Sequence, residues 1–313
     1  MGIDLPDQHP LVAIAILACL SLLPETRGPA APGIDLLSTA LSVGGLIALV
    51  WGLIEAPSRG WTHPLILTAC AASVALLTGL TLRERHSARP MLDLGLLFRP
   101  AFLWNAVAIT LVGFSLLGPL FVLPQYLQAV LGNDAFGTGV RLLPMMAGLL
   151  LAARAATPLA ARFGPRPVIS GGPLVSAAAA FLGSRTEVGD GYGMTAPWPT
   201  ITGLGFGLGV VPAMDAALGA LSRDREGTGS GLLMTLRQVG GTIGVALLGS
   251  LLADAYRTRL DTTGLPSAAA DGSVVAAHAV AERLGDPHLA ASADAAFVHG
   301  MDLALTAWTW RSW

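Results

Sequence analysis

Residues 101–130 read AFLWNAVAITLVGFSLLGPLFVLPQYLQAV, thirty residues without one Asp, Glu, Lys or Arg. An α-helix needs about 20 apolar residues to cross the hydrocarbon core of a bilayer. Within lipid, every backbone polar group must be satisfied internally, which a helix does on its own. The stretch therefore predicts a membrane-spanning helix.

The composition of the whole chain agrees with this stretch. Of 313 residues, 53% are hydrophobic and 12% are charged, and 38 glycines raise the apolar share further. Ordinary soluble domains hold about 25% charged residues. A water-soluble enzyme is excluded, because too few polar groups are present to cover its surface. Disorder is excluded as well, because disordered chains have low hydrophobicity.

Further apolar segments follow the same pattern. Seven are long enough to span: 34–54, 64–82, 101–130, 138–161, 167–183, 196–221 and 228–253. Two are short, at 11–23 and 296–310, and runs of that length alone are not usually spans. The sequence predicts an all-α membrane protein, a polytopic helical bundle, with both chain ends falling within curtailed helices.

Arginine, which supplies all the basic residues, predicts the orientation. The loops 24–33, 83–100, 162–166 and 222–227 carry nine arginines, and the alternate loops 55–63, 131–137, 184–195 and 254–295 carry five. Cytoplasmic loops hold the positive excess. The first set is therefore predicted to be cytoplasmic, with the polar loop 254–295 facing outward and weakly ordered.

Other classes of function find little support. A net charge of −2 offers no basic field for nucleic acid. The two cysteines, Cys19 and Cys70, lie in apolar runs, so the sequence predicts neither a disulfide framework nor a metal site. The glycine run 203–209 lacks the strand context of a dinucleotide fold.

Several short motifs, in order along the chain, resemble one family. They are LPQYLQAVLG at 123–132, GVRLLP at 139–144, LAARFGPR at 159–166, GSGLLMTLRQVGG at 229–241 and FVHGM at 297–301, with a weaker match at IDLP, 3–6. Together they resemble the fourteen-helix drug:proton antiporters of the major facilitator superfamily. Ala161 departs from the family pattern, which carries Asp there.

The resemblance implies a partial major facilitator fold with about eight to nine transmembrane segments. Residues 1–33 would form the end of the N-terminal bundle, a stub similar to helix six. Residues 34–100 would form the inserted helix pair and a cytoplasmic loop, and 101–313 the C-terminal six-helix bundle with its outward loop 254–295. We expect the first five helices and most of the last to be absent.

The resemblance also implies a multi-pass protein of the cell membrane, a bacterial inner membrane, that exports hydrophobic or cationic small molecules by alternating access. Protons would drive it, with no cofactor, and the missing N-terminal half would be a partner. The sequence leaves two alternatives open. The first is a non-transporting remnant or the subunit of a split transporter, and the second, more distant one is a membrane enzyme.

Ionisable residues inside spans are functional candidates by default, because burying a charge in lipid is costly. Asp215 is a candidate for proton or substrate binding; alternatively it reaches the interface or pairs with an arginine. Arg237 would neutralise Asp215 or hold a carboxylate from the missing half, and Arg154 has no place in the family motifs. Tyr126 and Gln128 are substrate candidates near the outer face, where Tyr is also common as an interfacial residue.

A short turn and two sets of regularly spaced glycines are the remaining candidates for functional or packing roles. Arg162, Gly164 and Arg166 form a short cytoplasmic turn that the resemblance identifies as a gating latch, and ordinary positive-inside charge is the alternative. Small residues four apart let helices approach closely in lipid. This spacing predicts helix packing at Gly203, Gly205, Gly207, Gly209, Gly240 and Gly244.

Overall fold

The computed structural model describes residues 35–86, 94–219, 223–260 and 274–311, together with Ser21 and Leu221. Among these residues the regular structure is entirely helical, which confirms the predicted all-α fold. The chain divides into two units, Met1–Asp35 and Leu36–Trp313. The predicted stub 1–33 and the short segment 11–23 lie outside the described residues except for Ser21. Apart from Ser21 and Asp35, all the described residues belong to the second unit.

Nine helices of eight or more residues are present in the described ranges of the second unit. They are α1 (Leu36–Arg59), α2 (Pro64–His86), α3 (Pro100–Gln125), α4 (Ala135–Phe163), α5 (Pro165–Gly183), α6 (Pro197–Leu218), α7 (Arg223–Arg259), α8 (Val274–Leu284) and α9 (Pro287–Arg311). A 3₁₀ turn, Leu94–Phe98, precedes α3, and a π turn, Tyr126–Val130, follows it. Pro124 in the last turn of α3 lacks the N–H that an α-helix needs. Beyond it, the Leu131 amide donates to the Tyr126 carbonyl at 3.1 Å, five residues back.

Six of the described helical segments are long and apolar enough to cross a membrane: Leu36–Arg59, Pro64–His86, Pro100–Val130, Ala135–Phe163, Tyr192–Leu218 and Glu226–Arg259. They correspond to six of the seven predicted spans. The seventh, 167–183, becomes α5, whose 19 residues include Arg166 and Pro173. These residues lower its hydropathy, so composition alone does not mark α5 as a span.

The expectation of a weakly ordered loop over 254–295 is wrong for much of its length. α7 continues to Arg259, α8 occupies Val274–Leu284, and α9 begins at Pro287 rather than near 296. The Asp286 side chain accepts from the His288 amide at 2.9 Å, which caps the start of α9. α8 is stable there because its alanines and Val274 pack into a core that contains Phe297.

α6 packs between α4 and α5 through its glycines. A Cβ atom on Gly203 or Gly207 would overlap a backbone carbonyl of α4, whereas one on Gly205 or Gly209 would meet α5 at Gly172. The structure therefore shows the close packing that the spacing of these four glycines predicts. Gly203 and Gly207 lie against α4, whereas Gly205 and Gly209 lie against α5.

The contact between α3 and α7 uses glycine in the same way. A Cβ on Gly240 would overlap the Thr110 carbonyl, and one on Gly113 would overlap the Arg237 carbonyl. Gly244, one turn beyond Gly240, is also buried. The backbones of the two helices therefore touch near mid-span.

The helix pair α1–α2 is attached to this bundle through α7. The Trp61 indole N–H, just after α1, donates to the Ser250 hydroxyl at 3.0 Å. The Arg257 guanidinium donates to the Pro57 carbonyl at 3.2 Å. The last carbonyls of a helix lack intrahelical partners, so Arg257 satisfies one of them.

Candidate functional site

Asp215 lies in the last turn of α6 and is exposed. The neighbouring residues Ala213 and Ala217 are fully buried in a core that also contains Phe102 and Leu233. Among the described residues, no side chain forms an ion pair or hydrogen bond with the Asp215 carboxylate. Asp215 lies in a helical segment that is long and apolar enough to span a membrane, as the sequence predicts. Its side chain faces away from the packed core.

Arg154 lies on α4, the helix adjacent to that of Asp215. α4 and α6 run parallel, and the close approach of Gly203 to Met145 sets their register. Gly203 also lies against the Leu149 amide, so its level falls between Met145 and Leu149. Twelve residues further along both helices, Asp215 is level with Leu159, and Arg154 lies about 7.5 Å from it along the axis. Arg154 is also exposed, and the described part of the chain offers it no ion pair.

Arg237 is half-buried on α7, where its backbone contacts Gly113. Val112, next to Gly113, meets Gly209 of α6, so Arg237 is level with Gly209. Asp215 lies six residues further along α6, about 9 Å in height. The described residues show no ion pair between Arg237 and Asp215: the Arg237 side chain lies against Gly113 of α3, whereas Asp215 is exposed on α6.

The short turn between α4 and α5 depends on Gly164. Its φ of +88° and ψ of 156° fall in a region that glycine alone adopts easily. Its amide donates to the Ala160 carbonyl at 2.9 Å, so one residue ends α4 and begins α5. Arg162 and Arg166 are both exposed, and the Arg162 guanidinium lies 5.3 Å from the Phe163 ring. The described residues provide no carboxylate partner for either arginine, so the gating role stays a prediction.

Tyr126 and Gln128 do not share a surface. Tyr126 is fully buried, whereas Gln128, within the same π turn, is exposed. The Tyr126 ring is enclosed by protein and packs in a core that also contains Trp198, Leu252 and Phe297. Its location near the outer face stays a prediction. Its predicted substrate role stays a prediction.

Sequence reasoning missed a group of buried polar atoms around Tyr126. Within the part of the chain that the structure describes, the hydroxyls of Tyr126, Thr195 and Tyr256 and the indole N–H of Trp198 are buried without a hydrogen-bond partner. Thr195 lies beside Tyr126, yet the two hydroxyls do not meet hydrogen-bonding geometry. Leaving such a group unpaired costs about 1–3 kcal/mol. In the sequence these residues lie in separate apolar runs, and only the fold brings them together.

The described residues contain no group of three or more His, Cys, Asp and Glu side chains that is able to hold a metal ion. Within the described spans, Asp215 and Arg154 are exposed and form no ion pair, whereas Glu55 and Arg59 pair with each other at 2.6 Å. Such groups are able to accept a proton or attract a charged solute.

Comparison with known proteins places these features in a family. Residues 12–245 match the model of the Major Facilitator Superfamily. The chain is 32% identical over 312 residues to the tetracenomycin C resistance and export protein of Streptomyces glaucescens, an alignment that covers 95% of this chain and 58% of that protein. It is 32% identical over 274 residues to the puromycin resistance protein pur8 of Streptomyces alboniger, covering 85% of this chain and 54% of the relative.

A third relative is the multidrug resistance protein Stp of Mycobacterium tuberculosis, 30% identical over 253 residues, or 78% of this chain and 45% of that protein. The chain therefore spans about half the length of the curated relatives that it matches.

Proposed function

Since the chain belongs to the Major Facilitator Superfamily and is a multi-pass protein of the bacterial cell membrane, we propose that it takes part in the proton-coupled export of hydrophobic or cationic small molecules by alternating access. The relatives support export as the activity, because their names describe antibiotic resistance, multidrug resistance and export. The family is one of transporters rather than enzymes.

The observation that carries the proposal is the exposed Asp215 within a membrane span. An unpartnered carboxylate in lipid is costly when ionised, so it is stable only if it is protonated, solvated or paired with a cation. A group that changes its protonation as its surroundings alternate couples proton movement to transport. The parallel packing of α4 and α6 places Arg154 about 7.5 Å from the depth of Asp215, where it provides a competing cation.

The test uses this chain, purified and reconstituted in lipid vesicles, with a proton gradient imposed across the membrane and a cationic fluorescent dye as the transported probe. Asp215→Asn keeps the shape of the side chain and removes its ability to ionise, so we expect gradient-driven dye transport to be lost. Asp254→Asn, which alters an exposed acid near the end of α7, is the matched control and should transport normally. Equal transport by both variants would remove Asp215 from the coupling mechanism.

A second candidate function is that of a subunit that works together with a polypeptide carrying further helices. The exposure of Asp215 and Arg154, both within spans, favours it, because a further bundle would cover them. In this case the chain alone gives no gradient-driven transport, and adding the N-terminal part of the Streptomyces glaucescens relative to the vesicles should restore it. Dye transport by the chain alone contradicts this candidate.

A further inference from the structure

A cavity of about 290 Å³ lies where the end of α1 meets α3, α7, α8 and α9. Much of its wall is apolar and includes Ile54, Phe121, Val245, Leu252 and Phe297. The cavity is slightly smaller than the 300–1,000 Å³ typical of pockets that enclose a drug-sized molecule. Its size suits part of an amphiphile rather than a whole drug.

The polar groups of this cavity favour an anion. Ser58, Gln125, Tyr256 and Arg257 line it, and the described lining residues include neither Asp nor Glu. Tyr256 is only 2% exposed, and its hydroxyl has no hydrogen-bond partner among the described residues. Asp294 lies near Tyr256 but does not line the cavity, and its carboxylate pairs with His278 at 2.7 Å. An occupant with an acceptor oxygen would satisfy this hydroxyl and remove the cost of burying it unpaired.

Arg257 supplies the positive charge. One of its nitrogens donates to the Pro57 carbonyl at 3.2 Å, and a guanidinium has five N–H donors. The nearest acid on α1, Glu55, already binds Arg59 at 2.6 Å. The remaining donors of Arg257 are therefore suited to an external anion, and arginine matches phosphate oxygens well in geometry.

Two features of the chain predict that the cavity lies at the depth of lipid headgroups. It adjoins the end of α1, where the Trp61 indole bonds to Ser250, and Trp is enriched where the membrane meets water. The arginine distribution predicts that the neighbouring segments 55–63 and 254–295 face outward. The cavity thus combines an apolar wall with the donor groups of Tyr256 and Arg257, at an end of the bundle that is predicted to face outward.

We propose that this cavity binds one anionic phospholipid of the outer leaflet. Its phosphate accepts hydrogen bonds from Arg257 and Tyr256, and the start of an acyl chain lies against Ile54 and Phe121. The lipid would join the α1–α2 pair to the rest of the bundle. This binding does not depend on the transport mechanism proposed above.

The test measures lipid retention by native mass spectrometry on the whole purified chain, with phosphatidylglycerol, phosphatidylcholine or inorganic phosphate added separately. We expect phosphatidylglycerol to be retained in preference to phosphatidylcholine. Arg257→Gln should weaken it about tenfold or more, the effect of losing a charged hydrogen bond. Arg259→Gln, an exposed arginine two residues on that does not line the cavity, should leave binding unchanged.

A second pair of variants keeps Arg257 and its contact with α1. Ala253→Phe fills the cavity and should displace the lipid, whereas Ala255→Phe, outside the lining, should not. A photoreactive phosphatidylglycerol should label peptides that contain Gln125 or Tyr256. Equal retention of both lipids, or unchanged binding in Ala253→Phe and Arg257→Gln, would overturn the proposal. Displacement of the lipid by inorganic phosphate would overturn it too, because the site would then hold a free anion.

Discussion

Two adjacent glycines of α5 lie in opposite surroundings, and they allow a direct test of how α5 and α6 are held together. A Cβ on Gly172 would lie 2.7 Å from the Gly205 carbonyl oxygen and 2.7 Å from the Gly209 Cα. A Cβ on Gly171 would meet no atom within 4 Å. We predict that Gly172→Ala destabilises the bundle and that Gly171→Ala does not.

The size of the effect follows from the geometry. Ordinary van der Waals contact of a Cβ begins at 3.4 Å, so Gly172→Ala forces the two helices apart locally by about 0.7 Å, since backbone atoms are unable to rotate away. A gap of that size forfeits roughly a quarter to a half of each dispersion contact, and overpacking costs about 1–3 kcal/mol. Gly171→Ala should instead stabilise α5 by about 0.5–1 kcal/mol, through reduced backbone entropy in the unfolded chain.

The assay is unfolding of the reconstituted chain by SDS in mixed micelles, followed by tryptophan fluorescence. Trp198 is 2% exposed, and its ring lies against Gly183 of α5. In a background where the other six tryptophans are replaced by phenylalanine, its emission reports on the separation of α5 from α6. We expect Gly172→Ala to unfold at lower SDS than wild type, and Gly171→Ala at equal or higher SDS. A Gly172→Ala variant as stable as Gly171→Ala would refute the close packing of α5 on α6.

Two further variants test local features of the fold. Gly164→Ala should lower the free energy of unfolding by about 1–3 kcal/mol, because alanine is strained at a φ of +88°. The control is Gly139→Ala, since Gly139 is a helical glycine with open space around it. Equal stability of the two variants would contradict the strain at Gly164. Tyr126→Phe removes a buried hydroxyl that has no partner and should leave stability unchanged or raise it, as measured by the same SDS titration; a loss above about 1 kcal/mol would mean that this hydroxyl is hydrogen-bonded.

The apolar runs predict the membrane spans well, because crossing a bilayer imposes a minimum length that is visible in a single sequence. The same reasoning fails for α8, whose 11 residues are too few to span. Its stability comes from packing Val274 and Ala277 on α9, a tertiary effect that no local pattern shows. The glycine spacing of 203–209 likewise predicts close packing but leaves the neighbouring helices unidentified.

The candidate charges show the same limit. Asp215, Arg154 and Arg237 stand out in the sequence because they interrupt apolar spans. Which of them are close together depends on the register of helices far apart in the chain. That register places Arg154 about 7.5 Å from the depth of Asp215 and puts Arg237 against Gly113 of α3. For Tyr126 the sequence leaves a substrate role and an interfacial position open, and only the fold shows that its ring is enclosed in the core.

The glycines of α6 also determine how Asp215 meets its surroundings. Successive residues of a helix are about 100° apart, so the pairs Gly203–Gly207 and Gly205–Gly209 lie on nearly opposite sides. Asp215 falls about midway between them, on the face opposite the buried Ala213 and Ala217. Because α4 and α5 contact the backbone of α6 on both sides, α6 is unable to rotate by itself to bury or expose this acid. The environment of Asp215 therefore changes only when α4, α5 and α6 move as one layer, or when whatever covers the open face of α6 moves.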